Sequence, residues 1–230
     1  MTTPRSEHEP FAWRWLPFGA AALLLEATPA TPLANRLVLA LADQLAAAPP
    51  DGVSGAVPAI SSLLVTFDPL QISLAQLRPL IERLLAELEP APDRPARIVT
   101  IPVRYGGADG PDLETAAQLL GLSPHELVAL HSGQIYRVMM LGFAPGFPYI
   151  GPLPTALRLP RRSTPRSAVA AGSVAIAAGL TGIYPARLPG GWHLIGRTDL
   201  TMFDPMADPP ALLAAGDGVR FVAEANGVVP

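Results

Sequence analysis

The segments GFAPGFPYIGPLP at residues 142–154, LPRRSTPRSAVAAGSV at residues 159–174 and LTGIYPARLPGGWHLIGRT at residues 180–198 decide how the second half of this chain folds. Glycine and proline alternate there with aromatic and arginine side chains. Each glycine loses additional conformational entropy on folding, and each proline removes a backbone hydrogen-bond donor. We therefore interpret this stretch as a shaped site; ordinary hairpin turns on a barrel are the alternative that composition leaves open.

Short apolar segments between these turns predict a β-rich second domain. YRVMMLGF, SVAIAA, WHLIGRT and VRFVA are typical of short strands, as in a barrel or a sandwich. Upstream, RIVTIPVRY predicts another strand, and two helices follow it. Pro111 suits the first position of the first helix, with Asp112 and Glu114 in its first turn near the positive end of the helix dipole. Ser123 and Glu126 form a capping box that begins the second helix.

The first half of the chain predicts a smaller α/β domain. AALLLEA is typical of a buried strand, and Thr31 caps a helix that begins at Pro32. GVSGAVPAI and SSLLVTFDP predict two further strands, and a second helix with one leucine-rich face begins near Ser73. Strands flanked by two helices are compatible with a ferredoxin-like α/β sandwich. The proline-rich PAPDRP at residues 90–95 predicts a connection, so we expect domains at residues 1–95 and 96–230.

Composition argues against several classes of protein. The 230 residues are 50% hydrophobic, with a net charge of −3 and a pI near 5.8, which does not favour nucleic-acid binding. The chain contains no cysteine and no lysine, which excludes thiolate sites, a P-loop lysine and a Schiff base. The four histidines lack metal-ligand spacing, so no metal site is expected. No apolar run is long enough for a membrane span and no signal peptide is visible, so a cytoplasmic protein is expected.

A series of motifs resembles the allophanate hydrolase subunit 1 family, which includes the KipI-type kinase inhibitors. The matching segments, in the family's order, are IPVRYGGADGPDL, LHS, LGFAPGFPYIG, TPR, AGSV, TGIYP, PGGWHLIGRT and FDP, between residues 101 and 205. The chain is most similar to the B subunit of bacterial ATP-dependent 5-oxoprolinase. It departs from the family pattern at Leu180, where glutamine is common, and at Ala170, where proline is usual.

The resemblance implies a cyclophilin-like β-barrel after the first domain, hence an α+β fold. It also implies that the chain helps to convert 5-oxoproline to L-glutamate with ATP hydrolysis, and that it is inactive alone. The implied partners are the homologous C subunit of 5-oxoprolinase, which would share an ATP site with this chain, and its A subunit. Two alternatives remain: a KipI-like inhibitor of a sensor histidine kinase, and a component of urea or allophanate metabolism.

The predicted small-molecule site combines aromatic walls with arginines. Phe143 and Phe147 form one wall, unless both fill the barrel core, and Pro145 fixes the loop that carries them. Trp192 is assigned to the same site. The Pro-Arg and Thr-Pro-Arg positions recur in the resembled family, so Arg161 and Arg166 are expected to present guanidinium groups to a carboxylate or phosphate, with Arg162 a solvated neighbour.

Two further residues are candidates for the chemistry itself. Ser173, with its neighbour Gly172, is placed to donate hydrogen bonds to an oxyanion, although a turn hydrogen bond accounts for the pair nearly as well. His131 is the candidate for proton transfer because an unperturbed imidazole titrates near neutral pH. A structural role at a helix end is the alternative for His131.

Overall fold

Residues 11–92, 95 and 97–224 are described by a computed structural model. The chain divides into two units, residues 1–93 and 94–230. None of the helices in the described part of the chain has the length and apolar character of a membrane span.

The first unit is a four-stranded antiparallel sheet with two helices. Its elements are β1 (Ala12–Pro17), β2 (Ala22–Thr28), α1 (Pro32–Ala47), β3 (Val53–Pro58), β4 (Ser62–Phe67) and α2 (Leu74–Glu87). The strands lie in the order β1-β2-β4-β3, and α1 packs against β3, β4 and α2. Thr31 caps α1 by accepting a hydrogen bond from the Ala34 amide, as predicted.

β1 is an edge strand of alternating character that was not predicted from the sequence. Trp13 and Trp15 are half-buried and pack on the core of this unit, whereas Arg14 between them is exposed. This period of two is the strand signal that the tryptophan-rich segment carries.

The second unit contains a closed β-barrel. Its elements are β5 (Ile98–Tyr105), α3 (Leu113–Leu120), α4 (Pro124–Ser132), β6 (Ile135–Leu141), β7 (Pro148–Gly151), β8 (Arg166–Val169), β9 (Ser173–Ala177), β10 (Leu180–Ile183), β11 (Leu188–Gly190), β12 (His193–Arg197) and β13 (Gly218–Ala223). Seven strands close in the order β10-β7-β6-β13-β5-β12-β9, and β8 pairs with β11 in a separate ribbon. The predicted fold class, an α+β chain with a β-barrel, is confirmed.

The alternation of side chains along β9 separates two apolar clusters. Val174 and Ile176 belong to the core inside the barrel, together with residues such as Ile150, Ile195 and Phe221. Ala175 and Ala177 belong to a second cluster that contains Phe147, Val169, Tyr184, Trp192 and Leu194. Because successive side chains of a strand point to opposite faces, the second cluster lies on the outer face of the barrel wall. The ribbon of β8 and β11 contributes Val169 and Leu188 to it.

The beginning of α3 differs from the prediction. The helix begins at Leu113, with Asp112 at its N-cap and Pro111 outside it, and the Asp112 side chain makes no capping hydrogen bond. Asp112 is therefore the N-cap residue and not a first-turn residue as predicted, and its carboxylate binds partners outside the helix end. The capping box that begins α4 is confirmed: Ser123 and Glu126 exchange the expected hydrogen bonds.

Candidate functional site

An aromatic cleft of about 100 Å³ opens beside the outer cluster. Loops supply most of its walls: the β6–β7 loop, the segment before β8, the end of β10 and the β11–β12 connection. The lining residues are Phe143, Phe147, Tyr149, Arg161, Tyr184, Pro189, Gly190, Gly191 and Trp192. The cleft therefore combines four kinds of group: aromatic faces, phenol hydroxyls, glycine backbone and one guanidinium.

Phe147 is the centre of the aromatic floor. It is buried, and its ring meets those of Phe143, Tyr149, Tyr184 and Trp192 edge to face, with centroid distances of 5.4, 5.1, 5.2 and 5.8 Å. Edge-to-face contacts of this kind contribute about 0.5–1.5 kcal/mol beyond area burial. The floor is thus held rigid, and neither Phe143 nor Phe147 belongs to the core inside the barrel.

Phe143 occupies a strained turn at the edge of the cleft. Its φ is +67°, and the Ala144 amide donates to the Gly142 carbonyl across it at 2.8 Å. Such a turn is rare for a residue with a bulky side chain. The side chain remains 59% exposed. Strained backbone beside a cleft is typical of ligand-binding positions.

Two glycines allow the backbone to lie against the aromatic rings. A Cβ at Gly190 would overlap the Tyr184 hydroxyl, and a Cβ at Gly182 would come 2.9 Å from the Phe147 ring. Real Cβ atoms do not approach other atoms this closely. Gly182 of TGIYP and Gly190 of LPGGW are therefore explained by close approach to the cleft wall.

Arg161 is the charged group of the cleft. Its side chain is exposed, and it makes no hydrogen bond or ion pair with any residue that the structure describes. A guanidinium offers five donors in a planar fork that matches a carboxylate. The site can therefore accept an anionic group next to an apolar ring.

Asp112 forms ion pairs with Arg162 and Arg166, the two arginines that follow Arg161 in the sequence. It is 5% exposed, and its Oδ1 accepts hydrogen bonds from Arg162 Nη1 at 2.9 Å and Arg166 Nη2 at 2.7 Å. Its Oδ2 accepts from Arg166 Nη1 at 2.9 Å and from the Leu194 amide at 2.8 Å. Arg162 is thus not the solvated neighbour that was predicted. Arg166, assigned to anion binding from the sequence, donates both arms of its fork to Asp112 and does not line the cleft.

The pKa of Asp112 is set by opposing effects. Burial by itself raises this pKa, but the hydrogen bonds from Arg166 and Leu194 and the charges of Arg166 and Arg162 together lower it below its ordinary value. Asp112 is therefore ionised at neutral pH. It joins the segment before β8 to β12, and so connects two walls of the cleft.

His131 lies inside the barrel core, away from the cleft lining. It is fully buried between Tyr105, whose hydroxyl is 2.7 Å from Nδ1, and Thr181, whose hydroxyl is 2.9 Å from Nε2. Thr181 donates its own proton to the Ala175 carbonyl, so it accepts from Nε2–H, and Nδ1 accepts from Tyr105. Burial lowers the pKa of His131 to about 3. This geometry gives His131 no direct access to a ligand in the cleft.

The neutral, buried His131 predicts an acid-dependent loss of stability. Because its folded-state pKa is lowered to about 3 from 6.5, the unfolded chain binds a proton that the folded chain does not between these values. The contribution of His131 to the free energy of unfolding has its full value above pH 6.5. It is expected to fall by about 1.4 kcal/mol per pH unit as the pH drops towards 3.

The measurement is urea unfolding of wild type, His131→Gln and the exposed control His125→Gln at several pH values between 7 and 3.5. The slope of unfolding free energy against pH is expected to be lower in His131→Gln only. Equal slopes in all three proteins would contradict the prediction.

The remaining predicted site residues lie outside the cleft lining. Pro145 is exposed in the β6–β7 loop. Ser173 is buried at the start of β9, where its carbonyl accepts from the Tyr184 amide at 3.0 Å. Gly172 has a φ of +78°, and a Cβ there would overlap the Thr198 carbonyl oxygen, so close backbone approach accounts for this glycine. An oxyanion role for Ser173 stays a prediction.

Four of the eight site residues predicted from the sequence come together: Phe143, Phe147, Arg161 and Trp192. Two lining residues, Tyr149 and Tyr184, were not among the predicted site residues, although they stand in the motifs PYIG and TGIYP. The ion pairs of Asp112 were not predicted either, because a carboxylate in GPDL just before a helix has the pattern of a first-turn residue. No signal in one sequence pairs this residue with arginines 50 and 54 positions later.

The described residues offer no cluster for a resident metal, and the aromatic cleft does not fit a nucleotide. No group of three or more His, Cys, Asp or Glu side chains that could hold a metal ion occurs among residues 11–92, 95 and 97–224. Clefts for drug-sized ligands have volumes of about 300–1,000 Å³, whereas this one has about 100 Å³ and a single arginine on its lining. A triphosphate with several negative charges therefore does not match the cleft.

A family model matches most of the chain. Residues 13–213 match the carboxyltransferase domain, subdomain C and D. The chain belongs to this family.

The sequence matches to named relatives span most of the chain. It is 45% identical over 212 residues to the B subunit of 5-oxoprolinase from Escherichia coli O157:H7, covering 91% of this chain and 95% of that protein. It is 42% identical over 198 residues to the B subunit of 5-oxoprolinase from Bacillus subtilis strain 168, covering 82% of each. These relatives are named as subunits of an enzyme.

Several solved structures share the fold of this chain. TTHA0988 is 43% identical with a TM-score of 0.78, and the match covers 91% of this chain but 41% of that one, so this chain spans about two fifths of its length. The uncharacterized protein PH0987 from Pyrococcus horikoshii is 37% identical with a TM-score of 0.55, covering 93% of this chain and 98% of that one. The Kluyveromyces lactis urea carboxylase, at 18% identity and a TM-score of 0.72, covering 94% of this chain and 23% of that one, shares the fold alone.

Proposed function

We propose that this chain is the B subunit of a 5-oxoprolinase, which opens the lactam of 5-oxoproline to L-glutamate with ATP hydrolysis. The observation that carries the proposal is the 45% identity to a protein named as this 5-oxoprolinase component over 91% of this chain and 95% of that protein. A match that includes nearly all of both chains makes the same role in the complex the most economical assignment.

The aromatic cleft suits a small acidic lactam. 5-Oxoproline is a five-membered ring with one carboxylate, so its apolar face can pack on the rings of Phe147 and Trp192 while the carboxylate meets Arg161. A cleft of about 100 Å³ is in proportion to such a ligand. In this proposal the chain binds the substrate, orients it and excludes water from one face of the ring.

Tyr184 supplies a neutral hydroxyl to the same cleft. Burial, and to a lesser extent the neighbouring Tyr149, raise its pKa, and this outweighs the opposing effects of Arg161, Arg166 and a backbone hydrogen bond from Trp192. The phenol therefore keeps its proton at neutral pH. It can donate a hydrogen bond to a lactam or carboxylate oxygen.

The ATP-dependent part of the reaction is assigned to the assembled complex. The cleft does not match a triphosphate, and the chain has no lysine to contact phosphates. We therefore propose that the chain works in the cytoplasm with the C and A subunits of 5-oxoprolinase, that ATP is bound chiefly by a partner, and that the chain is inactive alone.

The test is reconstitution with purified subunits. This chain and the A and C subunits are assayed together for 5-oxoproline-dependent ATP hydrolysis and glutamate formation, and each component is omitted in turn. Activity that requires this chain supports the proposal. A complete mixture without activity, together with binding of the chain to the dimerisation domain of a sensor histidine kinase, would instead favour the inhibitor alternative.

A further inference from the structure

We propose that His193 is a positioning residue that holds Arg161 beside the aromatic cleft. The inference rests on the proposed function in one respect, the binding of the substrate carboxylate by Arg161. His193 itself does not line the cleft, so its effect on the ligand passes through the backbone of the segment before β8.

The backbone is tied on both sides of Arg161. On one side, His193 Nε2 lies 3.1 Å from the Pro160 carbonyl oxygen. On the other, the Arg162 amide donates to the Gly191 carbonyl at 2.8 Å, and the Arg162 guanidinium is held by Asp112. The two ties, from Pro160 to His193 and from Arg162 to Gly191, join this segment to the residues on either side of Trp192. Arg161 alone of these three consecutive residues lacks a hydrogen bond to the described part of the chain.

The hydrogen-bond partner of His193 decides which of its ring nitrogens carries the hydrogen. A carbonyl oxygen only accepts hydrogen bonds, so Nε2 carries the proton and His193 is the donor. Nδ1 is buried and has no hydrogen-bond partner among the residues that the structure describes. A buried polar atom without a partner costs stability, and an apolar side chain of similar size would avoid that cost. Packing alone therefore does not account for an imidazole here, whereas the bond to Pro160 does.

A tied backbone makes the charge of Arg161 more effective. Ordering a loop residue when the ligand binds costs conformational entropy, and this cost lowers affinity unless the residue is ordered beforehand. Breaking one of the two ties is expected to raise the KM for 5-oxoproline by about five- to tenfold. The rate of the chemical step and the KM for ATP should change less than about twofold, because His193 contacts neither substrate.

Two substitutions separate the two nitrogens of the imidazole. In His193→Gln the amide nitrogen reaches the position of Nε2 and keeps the bond to Pro160. In His193→Asn it reaches only the position of Nδ1, and the bond is lost. In the assembled complex, His193→Asn is expected to show the rise in KM and His193→Gln to recover most of the wild-type KM. An equal rise in both variants would overturn the proposal.

A double-variant cycle distinguishes positioning of Arg161 from a general structural role. If His193 acts through Arg161, adding His193→Asn to Arg161→Gln should raise the KM for 5-oxoproline no further. Independent contributions would multiply, and that result would contradict the proposal.

Amide hydrogen exchange tests the same tie without activity. Exchange of the Arg162 amide, which donates to the Gly191 carbonyl, is expected to be faster in His193→Asn than in wild type and unchanged in His193→Gln, and equal exchange in all three proteins would overturn the proposal. A wild-type complex without activity would count against the proposed function, while the exchange result would still decide the positioning role.

Discussion

Replacing Arg161 with glutamine is expected to raise the KM for 5-oxoproline by about ten- to thirtyfold in the assembled complex. A hydrogen bond to a charged group contributes about 1.5–3 kcal/mol, and the lower part of this range applies because Arg161 is open to solvent. Glutamine keeps a donor but loses the charge and the planar fork. The KM for ATP should remain within about twofold, because ATP does not match the cleft.

Arg187→Gln is the matched control for this measurement. It removes the same charge from an exposed arginine just before β11 that does not line the cleft. Its KM for 5-oxoproline should stay within about twofold of wild type. If both variants raise the KM equally, Arg161 contributes only to the general positive potential, and the carboxylate is bound elsewhere.

Replacing Asp112 with asparagine is expected to lower the free energy of unfolding by about 2–3 kcal/mol at pH 7. Breaking a buried ion pair on one side costs about 3–5 kcal/mol because the opposite charge stays behind without compensation. Here the side chains of Arg162 and Arg166 are 30% and 27% exposed, so water compensates part of the loss. Urea unfolding measures the difference, and Asp51→Asn, at an exposed turn, is the control with an expected change below about 0.5 kcal/mol.

The pH dependence of this difference follows from the lowered pKa of Asp112. A carboxylate with a folded-state pKa below its ordinary value of 3.8 contributes stability that is complete above 3.8 and is lost as the pH falls through the folded-state pKa. Wild type and Asp112→Asn should therefore differ by a constant amount between pH 5 and 7. Below pH 3.8 their stabilities should converge, and a difference that persists undiminished at pH 2 would refute the ionic role of Asp112.

Much of the fold is local enough to be predicted. The strands around Leu64 and Ile176, the cap at Thr31 and the capping box of Ser123 and Glu126 depend on side-chain periodicity and on contacts within four residues. Pro111 and Asp112 mark the limit of such arguments. Their pattern fits a helix start, but the helix begins one residue after Asp112 and the carboxylate turns to distant arginines.

Some features of the candidate site could likewise be predicted from the sequence, and others could not. Its aromatic and arginine composition is visible in three segments, which is why Phe143, Phe147, Arg161 and Trp192 were named from the sequence. Arg161 and Arg166 look equivalent there, since each follows a proline. Their surroundings differ because Asp112, some 50 positions away, forms an ion pair with Arg166, whereas Arg161 has no hydrogen-bond or ion-pair partner among the residues that the structure describes.

The sequence by itself predicted a small α/β domain, a β-rich second half with an aromatic and arginine-containing site, and the family that the chain resembles, which implied the barrel. Only the tertiary structure decided which arginine is available to a ligand, that His131 is a core residue and that His193 donates to the backbone beside Arg161. The physical reason is range: helix caps and strand periodicity act between near neighbours, whereas ion pairing and burial depend on which distant segments the barrel brings together.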